Sequence, residues 1–290
     1  MTTATAFEPK TKTRPRLAIV AGEGKLPSIL AQSATEKGYD VFGYALSEDS
    51  LNRISPHCYK AMQIAPGQIG KNMKSLKKDD VPYCVFIGKV PKLNLLQNLY
   101  KFDWDAVKEM SKLPNFNDDT IQTAMGDYME RHGVKVLTQR EFLQHLFPQV
   151  GVLTRRQPSA AEYADITYGM QLAKKVARLD IGQTVVVKDR MILAVEAIEG
   201  TDEAIKRGVS LAKGSVVVAK VAKVKHDQRF DCPTIGVNTL QSMVGNDQGG
   251  VIAIGANETM IVDHDELIQF ADQNKIAVVV VEAREEDDDL

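Results

Sequence analysis

The sequence predicts an α/β protein of two domains, the first Rossmann-like and the second built on a mixed sheet. Three observations support this class. The 290 residues exceed what a single hydrophobic core usually organises. Apolar runs of strand length alternate with helical patterns through the first half, which indicates a parallel sheet covered by helices. The second half adds two β-rich runs, 184–187 and 191–197, whose short polar connection indicates an antiparallel hairpin.

The first half begins with an apolar strand over 17–21, then a glycine-containing turn and a helix with Ile29, Leu30 and Ala34 on its apolar face. Further strands are predicted over 40–44, 81–87 and 134–137. Further helices are predicted over 93–100, 104–112 and 120–132. Strands that alternate with helices in this way predict the Rossmann-like domain.

The second half begins with a predicted helix over 161–179, and the predicted hairpin comes after this helix. Asn238 is predicted to cap a helix, since Gln241 follows three residues later. The remaining predicted elements are strands over 215–221, 251–254 and 276–281, a hairpin-like segment over 259–262 and a helix over 265–274. Together these elements predict an α/β domain with a mixed sheet.

A change of composition between the halves marks the domain boundary. Residues 149–161 combine Gly, Ser and Pro with two arginines, which interrupts the alternation of strands and helices. The predicted organisation is a disordered leader over 1–15, an N-terminal domain over 16–150, a linker over 151–162, a C-terminal catalytic domain over 163–283 and an acidic tail over 284–290.

The charge balance and the cysteine pattern exclude several protein classes. A formal net charge of -2 argues against a general nucleic-acid binder, whose surface is normally basic. The three cysteines lie far apart, so we expect reduced thiols rather than disulfides or a zinc site. No apolar run reaches the length of about 20 residues that crosses a bilayer, and the opening residues lack the apolar core of a secretory signal. These features predict a cytoplasmic protein.

A glycine pair follows the first predicted strand. Gly22 and Gly24 lie between this strand and the helix, where backbone N–H groups and the helix dipole can bind a phosphate. The third glycine of the dinucleotide fingerprint is missing, because Lys-Leu-Pro follows Gly24. The turn therefore favours a nucleotide cleft, with a tight turn that binds no ligand and a dinucleotide site as the alternatives.

Three acidic residues cluster where the second strand of the hairpin ends. Glu196, Glu199 and Asp202 flank a Gly-Thr corner and offer the oxygen ligands that Mg²⁺ prefers. In the alternative interpretation, Thr201 and Asp202 cap the next helix while both glutamates face solvent. The spacing alone does not separate the two interpretations.

A stretch rich in charges follows the predicted strand over 215–221. The charged residues at or past the carboxyl end of this strand include Lys220, Lys223, Asp227, Arg229 and Asp231. Open α/β sheets bind ligands at that end. Cations there would neutralise phosphate oxygens, and a carboxylate would bind metal or activate water, as diphosphate chemistry requires. The alternative is a polar loop with internal ion pairs.

A family resemblance is carried by four segments in order: VAGEGKLP at 20–27, LDIGQ at 179–183, AVEAIEGTD at 194–202 and RFDCPTIG at 229–236. Between Arg16 and Glu282 the chain resembles the LpxI-type UDP-2,3-diacylglucosamine pyrophosphatases. The resemblance implies a two-domain enzyme with its active site between the domains. It also implies hydrolysis of UDP-2,3-diacylglucosamine to UMP and 2,3-diacylglucosamine 1-phosphate in lipid A biosynthesis, with Mg²⁺ as cofactor.

The resemblance further implies roles for individual residues. Asp231 matches the family's essential aspartate and is predicted to bind Mg²⁺ or to orient the attacking water. Glu196 and Glu199 are predicted as further metal ligands. The other predicted catalytic residues are Asp227, Lys220, Lys223 and Arg229. The residues predicted to contact substrate are Gly22, Gly24, Gly88, Gln183, Thr201 and Thr234.

Three departures from the family pattern are visible. The chain has Gly-Ala-Asn at 255–257 where Glu-Ala-Gly is expected, and the segment that begins at Gly88 lacks its final proline. Val-Lys-His at 224–226 replaces the usual Pro-x-Gln. Peripheral contact with the inner membrane is expected, because the diacylated substrate originates there, and a homodimer is expected by analogy. The alternatives are a nucleotide-sugar diphosphate hydrolase with a non-acylated substrate and a non-catalytic nucleotide-sugar-binding protein.

Overall fold

The computed structural model describes residues 14–89, 102–114, 118–222, 229–230, 232–245 and 249–282. The chain forms two compact units, Met1–Phe142 and Leu143–Leu290, and each unit is an α/β fold with its own sheet. In the described part of the chain, no helix has both the length and the apolar character needed to cross a membrane.

The first unit is built on a parallel sheet. Its described strands are β1 (Arg16–Ala21), β2 (Asp40–Ala45), β3 (Lys60–Gln63), β4 (Tyr83–Ile87) and β5 (Lys135–Val136). Its described helices are α1 (Leu26–Glu36), α2 (Glu48–Ile54), α3 (Ile69–Lys78), α4 (Trp104–Met110), α5 (Asp118–Arg131) and α6 (Arg140–Leu143), the last at the division between the units. Every ladder is parallel, in the order β3-β2-β1-β4-β5, which confirms the Rossmann-like domain.

Strand β1 lies at the centre of this sheet and is apolar on both faces, as a helix-covered parallel strand requires. Leu17 and Ile19 are fully buried, and so is Leu30 of helix α1. The chain passes from β1 to β2 and β3 and then crosses to β4 on the other side. The strand order therefore reverses between β1 and β4, which is where open α/β sheets often bind ligands.

Four elements of the first unit, β3, α2, α3 and α6, were not predicted. Strand β3 has the sequence KAMQ and is only partly buried, so it lacks an apolar run. Helix α3 buries Ile69, Met73 and Leu76 at helical spacing, but Gly70 and four lysines dilute this pattern. The predicted helix over 93–100 lies outside the described residues.

The second unit contains a larger sheet. Its described strands are β6 (Gly151–Val152), β7 (Thr184–Lys188), β8 (Met191–Val195), β9 (Val216–Lys220), β10 (Thr234–Ile235), β11 (Gly250–Gly255), β12 (Met260–Ile261) and β13 (Ile276–Val281). Its described helices are α7 (Ala160–Arg178), α8 (Thr201–Leu211), α9 (Val237–Gln241) and α10 (His264–Gln273). Strand β6 and the start of α7 fall within the segment 151–162 that was predicted as a linker.

This second sheet is mixed, as predicted. The strand order is β6-β13-β11-β9-β7-β8. Strands β9, β11 and β13 are parallel, β7 is antiparallel to β9, and β8 is antiparallel to β7 in the predicted hairpin. One face of the sheet packs against α7, and the other packs against α8, α9 and α10. The sheet is therefore covered on both sides, and ligands can reach it only along its edges and at its strand ends.

Two local predictions in the second unit are wrong. The segment 259–262 does not form a hairpin, because β12 pairs in parallel with β10 in a separate two-stranded ladder. Helix α9 begins after Gly236, so Asn238 lies inside the helix rather than at its cap. In the first case a contact between distant segments decided the local structure, and the local pattern could not contain it.

Helix α7 begins with a capping box that holds a buried ion pair. Ser159 Oγ accepts a hydrogen bond from the Glu162 N–H, and Glu162 Oε2 accepts one from the Ser159 N–H at 2.8 Å. The Arg156 guanidinium donates to Glu162 Oε1 at 2.6 Å. Burial alone would raise the pKa of Glu162, but the hydrogen bonds from Ser159 and Arg156 outweigh it and lower this pKa.

Replacing Glu162 by glutamine should destabilise the second unit by about 1–3 kcal/mol at pH 7, because the half-buried Arg156 loses its charged partner. The folded-state pKa of Glu162 is lowered. Its contribution is therefore present above the unfolded value of about 4.3 and is lost as pH falls through the folded pKa. Urea denaturation should show a difference between wild type and variant at pH 7 that shrinks below about pH 4.

The matched control for this change is Glu203→Gln, which removes an exposed glutamate paired with Lys206 on helix α8. That exposed pair should contribute little to stability, because solvent screens its charges. A Glu162→Gln protein as stable as Glu203→Gln at pH 7 would show that the capping box does not depend on the charge.

Candidate active site

The ends of strands β8 and β9 and the start of strand β7 lie together at one edge of the second sheet, the edge formed by strand ends. Strand β9 ends at Lys220, and the antiparallel register of β7 on β9 pairs Thr184 with Lys220. Strand β8 pairs Val195 with Val185 of β7, so Glu196 follows at the same edge. This edge is the carboxyl end of the parallel strands, where open α/β sheets bind ligands.

At this edge a half-buried threonine joins a buried lysine to a buried glutamate in a continuous hydrogen-bonded array. The Lys220 ammonium donates to Thr201 Oγ1 at 2.8 Å, and Thr201 Oγ1 donates to Glu196 Oε1 at 2.9 Å. Lys220 is only 4% exposed and Glu196 only 8% exposed. Because unpaired charges are costly to bury, the link between opposite charges through one hydroxyl explains how the interior accommodates both.

The turn before β7 completes the surroundings of the glutamate. The Gln183 backbone N–H donates to Glu196 Oε2 at 3.3 Å. Gly182 lies so close to the Glu196 carbonyl oxygen that a β-carbon at this position would collide with it. Thr184 Oγ1 lies 3.5 Å from Thr201 Oγ1. Contacts from the turn before β7 and from helix α8 therefore fix the carboxylate.

The array gives this edge of the sheet a fixed positive group. An ammonium held by buried partners does not have to reorganise when negative charge develops on a nearby phosphate oxygen. Water exclusion around the group also strengthens its interaction with an anion. The arrangement is thus suited to the binding of phosphate and to the stabilisation of charge during its transfer.

Glu199, predicted as a metal ligand, lies in a separate ion pair. Its Oε1 accepts a hydrogen bond from the Arg207 guanidinium at 2.6 Å, and its Oε2 accepts one from the Ala197 N–H at 3.2 Å. The hydrogen bond from Arg207 lowers the pKa of Glu199. Arg207 also donates to the Val195 carbonyl oxygen at 2.9 Å, so this pair joins the turn after β8 to helix α8.

The described carboxylates do not form a magnesium site by themselves. Among the described residues, no group of three His, Cys, Asp or Glu side chains is placed to hold a metal ion. Both oxygens of Glu196 accept hydrogen bonds, and both oxygens of Glu199 do so as well. Asp231 and Asp227, the other carboxylates predicted to act at the site, lie outside the described residues.

The other predicted site residues of the second unit lie on the segment that follows β9. The Arg229 guanidinium lies over the Phe230 ring, 5.4 Å from its centroid. Thr234 Oγ1 donates to the Cys232 carbonyl oxygen at 3.1 Å, at the start of strand β10. Lys223 lies outside the described residues, together with Asp227 and Asp231.

The predicted glycine turn of the first unit is joined by backbone hydrogen bonds to the segment after β4. The Gly22 N–H donates to the Ile87 carbonyl oxygen at 2.8 Å, and Glu23 and Lys89 exchange hydrogen bonds at 2.8 and 3.0 Å. A β-carbon on Gly22 would meet the backbone of Gly88 and Lys89. This close approach is a structural reason for glycine at position 22. The N–H groups of Gly22 and Glu23 already donate to the carbonyl oxygens of Ile87 and Lys89.

Two family descriptions together match the chain from residue 16 to residue 279. The LpxI N-terminal domain matches residues 16–146, and the LpxI C-terminal domain matches residues 149–279. The chain belongs to the LpxI family. The array described above therefore lies in the LpxI C-terminal domain, and the glycine turn lies in the LpxI N-terminal domain.

Similar proteins include one curated LpxI and several solved structures. UDP-2,3-diacylglucosamine pyrophosphatase LpxI of Caulobacter vibrioides is 29% identical over 291 residues, which covers 93% of this chain and 99% of the relative. N5-carboxyaminoimidazole synthetase from Staphylococcus aureus has a TM-score of 0.24 and 16% identity, covering 62% of this chain and 40% of that one. The ADP complex of N5-carboxyaminoimidazole ribonucleotide synthetase has a TM-score of 0.28 and 12% identity, covering 68% and 45%. Such low TM-scores carry no functional argument.

The tertiary structure of this LpxI-family chain brings together residues that the sequence singled out for different reasons. The predicted site residues that meet at the array are Lys220, Thr201, Glu196 and Gln183. Sequence reasoning missed Thr184 and Gly182. Their only local signals were a threonine at a strand start and a glycine just before it, and neither signal reveals which distant residue lies alongside.

Replacing Thr201 by valine should destabilise the second unit by about 1–3 kcal/mol, because the isosteric change removes the hydroxyl that accepts from Lys220 and donates to Glu196. Thr201→Ser keeps the hydroxyl and should cost less than about 1 kcal/mol. Chemical denaturation of the full chain measures both effects. Equal stability of the two variants would mean that the hydroxyl does not hold the array together.

Proposed function

We propose that the chain hydrolyses the diphosphate of UDP-2,3-diacylglucosamine in lipid A biosynthesis, releasing UMP and 2,3-diacylglucosamine 1-phosphate. The observation that carries this proposal is the buried array of Lys220, Thr201 and Glu196 at the carboxyl edge of the LpxI C-terminal domain. The Caulobacter relative is named for this activity and aligns over 93% of the chain. A fixed ammonium at a ligand-binding edge supplies the positive charge that a diphosphate substrate requires.

In the proposed reaction, water attacks one phosphorus of the diphosphate, and the bond from that phosphorus to the bridging oxygen breaks. The bridging oxygen leaves on the other phosphate, and a proton of the attacking water passes to a carboxylate. We assign this carboxylate to Asp231, with Asp227 as its helper. Lys220, Lys223 and Arg229 are proposed to stabilise the negative charge that grows on the diphosphate oxygens.

Thr201 and Glu196 are proposed to act partly through Lys220. Thr201 Oγ1 is the hydrogen-bond acceptor that orients the ammonium, and Glu196 accepts the hydrogen of that hydroxyl. A charge held in a fixed position lowers the reorganisation needed in the transition state. We further propose that Gln183, Thr234 and the glycine turn of the first unit contact the substrate.

Mg²⁺ is proposed as the cofactor, with Asp231 as its main ligand and Glu196 as a second ligand. Glu199, which pairs with Arg207, is proposed as a further ligand, and either glutamate would have to release a hydrogen bond to bind the metal. When bound, Mg²⁺ would neutralise charge on the phosphate oxygens. We also propose a cytoplasmic enzyme that contacts the inner membrane peripherally and forms a homodimer.

The purified protein should release UMP from UDP-2,3-diacylglucosamine in the presence of Mg²⁺ and should lose this activity in EDTA. Asp231→Ala should lower kcat by about 10²–10⁴-fold, because the water loses the group that orients it and accepts its proton. The unfolding midpoint should stay unchanged. UMP release by chromatography and urea denaturation measure the two quantities.

Glu203→Gln serves again as the control, since this exposed residue lies on α8 outside the array. Comparable activity on UDP-N-acetylglucosamine would favour a non-acylated substrate instead. A folded protein that binds UDP but releases no UMP would favour a non-catalytic binding protein.

Lys220→Met should lower kcat by about 10²–10³-fold, because the side chain keeps its volume but loses the charge that stabilises the transition state. The matched control is Lys213→Met, which removes an exposed lysine just before strand β9. Steady-state UMP release measures both variants. Unchanged kcat in folded Lys220→Met would remove Lys220 from the mechanism.

A further inference from the structure

Three large aliphatic side chains are exposed at the same edge of the sheet as the buried array. Leu179, Ile181 and Ile198 are 70%, 49% and 104% exposed. A single exposed aliphatic residue is ordinary, but several on adjoining turns mark a surface that binds something. We call these three residues the apolar rim.

The first part of the rim is held by the end of helix α7. The Leu179 N–H donates to the Lys175 carbonyl oxygen at 3.3 Å, and the Ile181 N–H donates to the Val176 carbonyl oxygen at 3.4 Å. Asp180 between them adopts a positive φ of 56°. These bonds end the helix and fix the backbone that carries both exposed side chains.

The second part of the rim is the turn that carries Ile198. The Gly200 N–H donates to the Ala197 carbonyl oxygen at 3.2 Å. Glu199 accepts from the Ala197 N–H and pairs with Arg207 of helix α8. The turn is therefore anchored on both sides of Ile198, whose side chain remains fully exposed. An anchored aliphatic side chain is available for a ligand without a conformational change.

The two segments that carry the rim meet at the glutamate of the polar array. Gly182 packs against the Glu196 carbonyl oxygen, and the Gln183 N–H donates to the Glu196 carboxylate. Ile181 precedes this contact on one segment, and Ile198 follows it two residues after Glu196 on the other. A ligand whose phosphate lies near Lys220 thus has aliphatic side chains beside it.

We propose that the apolar rim binds the acyl chains of the substrate. This inference rests on the proposed function, because it takes the diacylated glucosamine as the occupant. The substrate joins an anionic diphosphate to two flexible hydrocarbon chains through one sugar. The array offers a cation for the diphosphate, and the rim offers aliphatic side chains for the hydrocarbon. Burial of hydrocarbon against leucine and isoleucine supplies affinity that a non-acylated substrate cannot use.

The test compares two substrates, long-chain UDP-2,3-diacylglucosamine and a short-chain diacyl analogue, both in mixed detergent micelles. The double variant Ile181→Ser/Ile198→Ser should lower kcat/KM for the long-chain substrate by at least about tenfold. It should change kcat/KM for the short-chain analogue by less than about twofold. The matched control is Met191→Ser/Ile192→Ser, because these exposed residues lie at the opposite end of strand β8. The control should leave both values unchanged.

Three outcomes would overturn the inference. An equal loss for both substrates, or no loss for the long-chain substrate, would show that the rim does not recognise acyl chains. A loss seen only when the substrate is presented in vesicles would assign the rim to the membrane surface instead.

Failure of the proposed function would be recognised separately. In that case wild type hydrolyses neither substrate, and the same comparison is made on the Kd of the intact compounds. Weaker binding of only the long-chain compound by the double variant would still support the rim, and equal binding would overturn it.

Discussion

The buried charge of Lys220 is the constraint on which the ligand-binding edge of the second unit depends. Strand β9 is buried along its whole length, so the lysine at its end brings an ammonium into the protein interior. A buried charge needs a compensating partner and hydrogen bonds to its N–H groups. Thr201 supplies an acceptor, and Glu196 supplies the opposite charge behind it. The surrounding turns hold these two side chains in place.

The antiparallel hairpin makes this arrangement geometrically possible. In a purely parallel sheet the start of every strand lies at the edge opposite to the ligand-binding one. Because β7 runs against β9, its first residue, Thr184, lies beside Lys220 instead. Strand β8 then returns and delivers Glu196 to the same edge. A mixed sheet thus concentrates polar residues from both its strand starts and its strand ends at one place.

In each unit, a glycine allows a turn to make a close backbone contact. In the second unit, Gly182 allows the turn before β7 to touch the backbone of Glu196. In the first unit, Gly22 allows the turn after β1 to bond the segment after β4, at the point where the strand order reverses. In both places the absence of a side chain lets two backbones approach. Such contacts fix local geometry at the edge where each type of sheet binds ligands.

The sequence by itself determined the elements whose signals are local. The apolar run of β1, the alternation of strands and helices, and the hairpin around Asp189 and Arg190 all follow from residue type and spacing. Tertiary structure alone decided the pairing of β12 with β10 and the link of Thr201 to Lys220. These are contacts between segments distant in sequence, and no local pattern encodes a partner. The register of β7 against β9, which places Thr184 beside Lys220, is likewise set by the packing of the whole sheet.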